Sequence, residues 1–205
     1  MVAIIDYGAG NLFSVHKAFL YLGADAVVTN DASVLKSADH IVLPGVGAFG
    51  DCMSNLENTG LIPTILDCIQ KGTPFLGICV GLQLLFEESE ETPEKKGLAV
   101  FSGQVKKIDA PGLKIPHMGW NSIDITVSDR KRSIFSSFES DHAPYMYFVH
   151  SYYAVPEDAS VITSATTYGG VLTASVARDN VQAVQFHPEK SGDIGLQLLK
   201  NFLQL

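Results

Sequence analysis

The stretch Thr73-Pro74-Phe75-Leu76-Gly77-Ile78-Cys79-Val80-Gly81-Leu82-Gln83-Leu84-Leu85-Phe86 decides how the chain is read. Its first part, 73–78, is a short apolar run of the kind that forms a buried strand, and the part beyond Cys79 reads as a helix through Phe86. Between them Gly77-Ile78-Cys79-Val80-Gly81 has the form G-x-C-x-G, the thiol counterpart of the G-x-S-x-G elbow that presents a nucleophile on a strained strand-to-helix turn. Such a turn requires glycine two positions either side, because side chains there would strike neighbouring backbone. The helix start aims free N–H groups at the sulfur, which favours thiolate. The N–H of Val80 is placed to donate to an oxyanion.

Upstream, short apolar runs alternate with amphipathic stretches, as in a parallel sheet with crossover helices. Residues 2–5, 26–29 and 40–43 are strand candidates. Leu12, Val15, Phe19 and Leu22 share a helical face closed by Gly23, and a helix over 61–71 tolerates Pro63 in its first turn. Downstream of Leu98 the pattern changes to closely spaced strand candidates, 103–108, 122–127, 145–149, 161–166, 171–177 and 181–185, separated by Gly, Pro and Asp. Ile194, Leu198 and Phe202 lie on one face of a C-terminal helix. The expected fold is α/β, an open and mostly parallel sheet with helices on both faces plus antiparallel strands in the second half, all within one domain over 1–205.

A chain of 205 residues can bury a core without disulfide or metal staples, and 46% hydrophobic with 18% charged residues is a globular composition. With 22 acidic against 14 basic side chains the formal charge is −8, so no field draws it to nucleic acid or anionic lipid. Met1 to Tyr7 lacks the features of a secretory signal, and the apolar stretch 75–86 is too short to span a bilayer. A soluble cytoplasmic protein is expected. The three cysteines, Cys52, Cys68 and Cys79, form no C-x-x-C pair, which argues against disulfide and zinc frameworks; Cys52 and Cys68 are read as structural. His16, His40, His117 and His142 show no metal-ligand spacing, and neither metal nor cofactor is expected.

A thiolate that attacks an amide needs a proton donor for the leaving ammonia, and histidine is the side chain suited to that near neutrality. His187 follows the strand candidate 181–185 and precedes Pro188-Glu189, whose carboxylate can fix the imidazole tautomer. His150 also ends a strand but has no acid close behind it. Gly45-Val46-Gly47-Ala48-Phe49-Gly50 matches the dinucleotide fingerprint G-x-G-x-x-G. That fingerprint belongs after the first strand, with an acid ending the second, whereas the candidate acid here, Asp67, lies inside a predicted helix. The loop is better read as the other half of an oxyanion hole.

Pro44-Gly45-Val46-Gly47, Gly77 to Gln83 and Phe186-His187-Pro188-Glu189-Lys190-Ser191 together resemble the triad-type, class I glutamine amidotransferases, over nearly the whole chain. Within that family the chain is most similar to the glutaminase subunits of imidazole glycerol phosphate synthases, through Tyr7 to Asn11, Pro44 to Gly50, Ile115 to Asn121 and Phe148 to Tyr152. The resemblance implies a flavodoxin-like core and a catalytic triad of Cys79, His187 and Glu189. It implies oxyanion donors at Val80 and in the Val46-Gly47 region, and glutamine held by Gln83, Glu91, Ser151 and Tyr152. It also implies a partner, a (β/α)8-barrel cyclase or synthase subunit forming a heterodimer. Free ammonia is protonated in water and cannot then attack, so it must be delivered through a protected path. Asn11, Val46 and the loop Pro116, His117, Met118, Gly119, Trp120 and Asn121 are the interface candidates.

Three other readings stay open: a glutaminase for another acceptor, such as anthranilate, guanylate or pyridoxal phosphate synthesis; a non-catalytic nucleotide-binding module; and a cysteine peptidase or esterase on the same elbow.

Overall fold

The computed structural model describes residues 1–127, 133–138 and 143–205; His142 lies outside them. In chain order the elements are β1 (Val2–Ile5), α1 (Leu12–Tyr21), β2 (Ala26–Thr29), α2 (Ala32–Ser37), β3 (His40–Gly45), α3 (Phe49–Thr59), α4 (Ile62–Gln70), β4 (Phe75–Cys79) and α5 (Val80–Gln83). There follow β5 (Glu88–Ser89), β6 (Gly103–Lys107), β7 (His117–Ser122), β8 (Asp124–Ile125), β9 (Tyr145–His150) and β10 (Tyr152–Pro156). The last are β11 (Ile162–Thr167), β12 (Val171–Arg178), β13 (Val181–Val184) and α6 (Gly192–Phe202).

The main sheet runs β2-β1-β3-β4-β13-β12-β11-β8. Its first five strands are parallel and the rest antiparallel. Strands β1, β4 and β13 are buried at every residue, as strands covered on both faces must be. Because the chain steps outward from β1 to β2 and then back across to β3, right-handed crossovers put α1 and α2 on opposite faces. Helix α6 packs against α1, while α4 packs against α2 and α3. A three-stranded sheet, β10-β6-β5, and a two-stranded one, β7-β9, complete the second half, so the expected antiparallel addition is present.

Several details differ from expectation. Helix α3 was not foreseen, the glycine loop being taken to run through Gly50, although Phe49, Cys52, Met53 and Leu56 form a buried stripe with helical spacing. Strand β10 was not foreseen, and the segment expected as a loop over 116–121 pairs as β7 with β9. Ile194 does not share the buried face of α6: it is 42% exposed, and the face passes through Leu198, Leu199 and Phe202. The helix expected through Phe86 stops after one turn. Carbonyls that would continue it are taken by the following segment, with Leu98 N donating to Leu84 O and Val100 N to Leu85 O.

Candidate active site

Cys79 closes β4 with φ 57 and ψ −112, a left-handed conformation that few side chains adopt. The glycines around it leave no room for anything larger. A Cβ on Gly81 would lie 1.9 Å from the Leu43 carbonyl oxygen, and one on Gly77 2.9 Å from that of Gly81. Gly45, at the end of neighbouring β3, would meet Gly81 N at 2.8 Å. The elbow is thus wedged between two strands by backbone contact.

Strand β13 lies beside β4 in parallel, Val184 opposite Ile78, so the chain leaving β13 passes the sulfur. His187 comes three residues later, at the carboxyl end of the sheet where open α/β folds build their sites. Nδ1 of His187 is 2.9 Å from Oε1 of Glu189, and the two side chains are 2% and 0% exposed. A single 3₁₀ turn, Pro188–Lys190, brings the carboxylate back under the ring. Ser191 Oγ donates to the His187 carbonyl at 2.7 Å and accepts from Tyr147 N at 3.0 Å, tying the turn to β9.

His187 Nε2 is buried without a hydrogen-bond partner within bonding geometry. Burial alone would lower the pKa of this imidazole. The nearby Cys79 sulfur and the Glu189 carboxylate outweigh it and push the value up to about 10. The ring therefore carries its proton at neutral pH, close to the Cys79 sulfur.

Both groups open on a cavity of about 260 Å³. That falls below the ~300–1,000 Å³ of sites for drug-sized ligands and suits a free amino acid. Val46, Gly47, Val80, Gln83, Glu91, Ser151 and Tyr152, expected at the site, all line it with Cys79 and His187. Glu189 stands behind the ring. Gln83 is buried, its Nε2 donating to Tyr152 O and to Gln185 Oε1, each at 3.1 Å. One oxygen of Glu91 accepts from Phe49 N at 2.7 Å. It occupies the N-terminus of α3, where a dinucleotide reading of the glycine loop would put phosphate; Asp67, the acid weighed for that reading, pairs instead with Lys71.

His150 also lines the cavity, yet its ring is fully engaged. Nδ1 meets Tyr152 O at 3.0 Å and Nε2 meets His117 Nδ1 at 2.9 Å. Burial pushes its pKa down to about 4, and that of His117 likewise. Neither is placed to act as the base. Of the interface candidates, Pro116 lines the cavity, while Met118 and Trp120 stand 61% and 56% exposed on β7. Asn121 bonds His117 and Thr167 O, and Asn11 begins α1 without a side-chain cap. Cys68 is buried, as expected, with its thiol 3.8 Å from Leu35 O. Cys52 is also buried, but its thiol contacts Val46 O at 3.4 Å, beside the site. The residue that sequence reasoning missed is Gln185, fully buried with its amide nitrogen 3.7 Å from the Cys79 sulfur. A glutamine set between the apolar run of β13 and Phe186 was the available signal.

The sequence profile described as Glutamine amidotransferase class-I matches residues 3–205. The chain is 52% identical over 210 residues to "Imidazole glycerol phosphate synthase subunit HisH" of Syntrophotalea carbinolica, covering 98% of each. It is 51% identical to the protein of that name in Methanothermobacter thermautotrophicus, over 100% of this chain and 98% of the relative. A crystal structure of a glutamine amidotransferase superposes with a TM-score of 0.77 at 19% identity, covering 100% of this chain and 98% of that one. PurLQS from Thermotoga maritima gives 0.73 at 20%, over 99% and 97%. The solved structures at that identity share the fold. With about half its residues common to full-length relatives and the profile spanning it almost end to end, the chain belongs to the class I glutamine amidotransferases.

Proposed function

We propose that the chain hydrolyses glutamine to glutamate and ammonia, as the glutaminase subunit of an imidazole glycerol phosphate synthase in histidine biosynthesis. The observation that carries this reading is the meeting of the elbow cysteine with a carboxylate-backed histidine across two adjacent parallel strands. The subunit assignment is supported by full-length relatives of that name.

In this mechanism the Cys79 sulfur attacks the side-chain amide carbon of glutamine. The oxyanion accepts from Val80 N–H and from an amide of the Val46-Gly47 loop. As the C–N bond breaks, imidazolium His187 gives its proton to the leaving nitrogen and ammonia departs, leaving a glutamyl thioester. Neutral His187 then takes a proton from water, whose oxygen attacks the thioester carbonyl. The C–S bond breaks, releasing glutamate, and the thiolate–imidazolium pair returns. Glu189 holds the ring and its charge throughout. Gln83, Ser151 and Tyr152 hold the substrate, and the free oxygen of Glu91 takes its α-ammonium group.

The ammonia passes to a (β/α)8-barrel synthase subunit, which uses it to form imidazole glycerol phosphate and an aminoimidazole carboxamide ribotide. The partner docks along Asn11, Val46 and the 116–121 segment, a reading supported by Val46 and Pro116 lining the cavity and by the exposure of Met118 and Trp120. Labelling with a diazo-ketone analogue of glutamine should modify one residue stoichiometrically, and peptide mapping should place it at Cys79. Cys79→Ala should abolish glutamine hydrolysis while the assembled complex still uses supplied ammonia. Glutamine turnover by that variant at the wild-type rate contradicts the assignment.

A further inference from the structure

Gln185 follows β13 with its side chain 0% exposed, so both ends of its amide must find partners inside the protein. Oε1 accepts from Gln83 Nε2 at 3.1 Å, and Nε2 lies 3.7 Å from Cys79 Sγ. The two ends of an amide look alike in outline, so its orientation has to follow from its neighbours. Here it follows from a backbone carbonyl. The oxygen of Tyr152 can only accept, so the Gln83 atom 3.1 Å away is nitrogen. The second proton of that nitrogen points at Gln185, so the near end of Gln185 is oxygen. The far end, at the sulfur, is therefore NH₂.

The carbonyl that sets this order is itself held from the other side. His150 Nδ1, 3.0 Å away, must be the donor to it. Its Nε2 then accepts from His117 Nδ1 at 2.9 Å, and His117 Nε2 accepts from Asn121 Nδ2 at 3.2 Å. Asn121 is fixed in turn, Nδ2 donating to Thr167 O and Oδ1 accepting from Ser122 N, each at 2.9 Å. Each proton in the line has one direction.

We propose that Gln185 is a catalytic residue of glutamine hydrolysis, its amide N–H donating to the Cys79 sulfur and holding the thiolate where it attacks the substrate and where it returns after thioester cleavage. The division of labour with His187 is chemical. An amide supplies a dipole without an exchangeable acid, so it steadies the anionic sulfur without competing for the proton that His187 moves. The proposal rests on the glutaminase reading, and its test reads the sulfur separately from turnover.

The experiment follows alkylation of Cys79 by iodoacetamide across pH in the full chain, the modified residue being mapped, together with glutamine kinetics in the assembled complex. Gln185→Glu keeps the shape and puts a carboxylate against the sulfur. Alkylation at neutral pH should slow about tenfold, with the pH–rate curve displaced to higher pH. Gln185→Met removes the donor without adding charge and serves if the buried Glu prevents folding. It should also be alkylated more slowly than wild type, and glutamine kcat should fall with KM changed less than about twofold. A Gln185→Met variant with wild-type near-ultraviolet circular dichroism and a wild-type alkylation profile overturns the proposal. If the wild-type complex fails to hydrolyse glutamine, the glutaminase reading fails instead, and the alkylation profiles still decide whether Gln185 holds the sulfur.

Discussion

Cys79 occupies a conformation that costs about 1–3 kcal/mol for an ordinary residue, and the backbone contacts at Gly45, Gly77 and Gly81 hold it there. The turn places the sulfur at the carboxyl end of the sheet, in the cavity that the ring of His187 also lines. That ring owes its charge to Cys79 and Glu189 together, and its orientation to the Nδ1 bond with Glu189. Glu189→Gln keeps the size but removes the charge, and its amide can turn to donate where Nδ1 already donates. Glutamine kcat should fall about 10²- to 10⁴-fold, the range of a lost general acid–base contribution, while supplied ammonia is still used; assay of the two activities side by side checks this. At this scale the sequence was legible where chemistry constrains neighbours in the chain, as in the glycines about Cys79 and the acid two residues after His187. It was silent where the constraint is spatial. Nothing adjacent to Gln185 announces that Gln83 and Cys79 will face it, and nothing near His150 shows that His117 will occupy its ring.

Helix α3 shows how an element is fixed at both ends by different devices. Its first N–H, that of Phe49, meets the Glu91 carboxylate from across the molecule, and it ends at Gly60 with φ 69. A Cβ at Gly60 would meet no atom within 4 Å, so replacement there is a test of backbone conformation alone. Gly60→Ala should lower stability by about 1–2 kcal/mol, seen as a reduced urea midpoint, and leave glutamine turnover unchanged. Of the crossover elements, α1 and α4 were readable from apolar spacing, whereas α2 and α3 were not foreseen. The length of α5 was not, because helix propensity continues through Phe86 while the 97–101 segment takes the carbonyls from outside. Strands β7 and β10 escaped for a similar reason: their residues alternate weakly, and pairing with β9 and β6 decides them.

Across the whole molecule, buried histidines set opposite limits on pH. His187 binds its proton more tightly folded than unfolded, with values of about 10 against 6.5. Its contribution is complete below pH 6.5 and is lost as pH rises toward 10. His150 and His117 are neutral when folded, with values of about 4 against 6.5, so unfolding takes up protons and stability falls from pH 6.5 down toward 4. Urea titrations from pH 4 to 10 should show a maximum near neutrality. His187→Gln should flatten the alkaline limb and leave the acid one. Among the described residues no helix is long and apolar enough to cross a membrane. The parallel half of the sheet was legible because its strands are continuous apolar runs. The placement of β13 between β4 and β12 was not, since spacing along the chain carries no information about insertion.

That insertion bears on biosynthesis. Gln185 lies 106 positions after Cys79, and His187 later still. A nascent polypeptide folding from its N-terminus acquires the thiol well before the imidazole. Until β13 fills the slot between β4 and β12, neither Gln185 nor His187 stands beside the sulfur. A chain interrupted between the two strands would carry the sulfur without the imidazole, and on the proposed mechanism it should not hydrolyse glutamine.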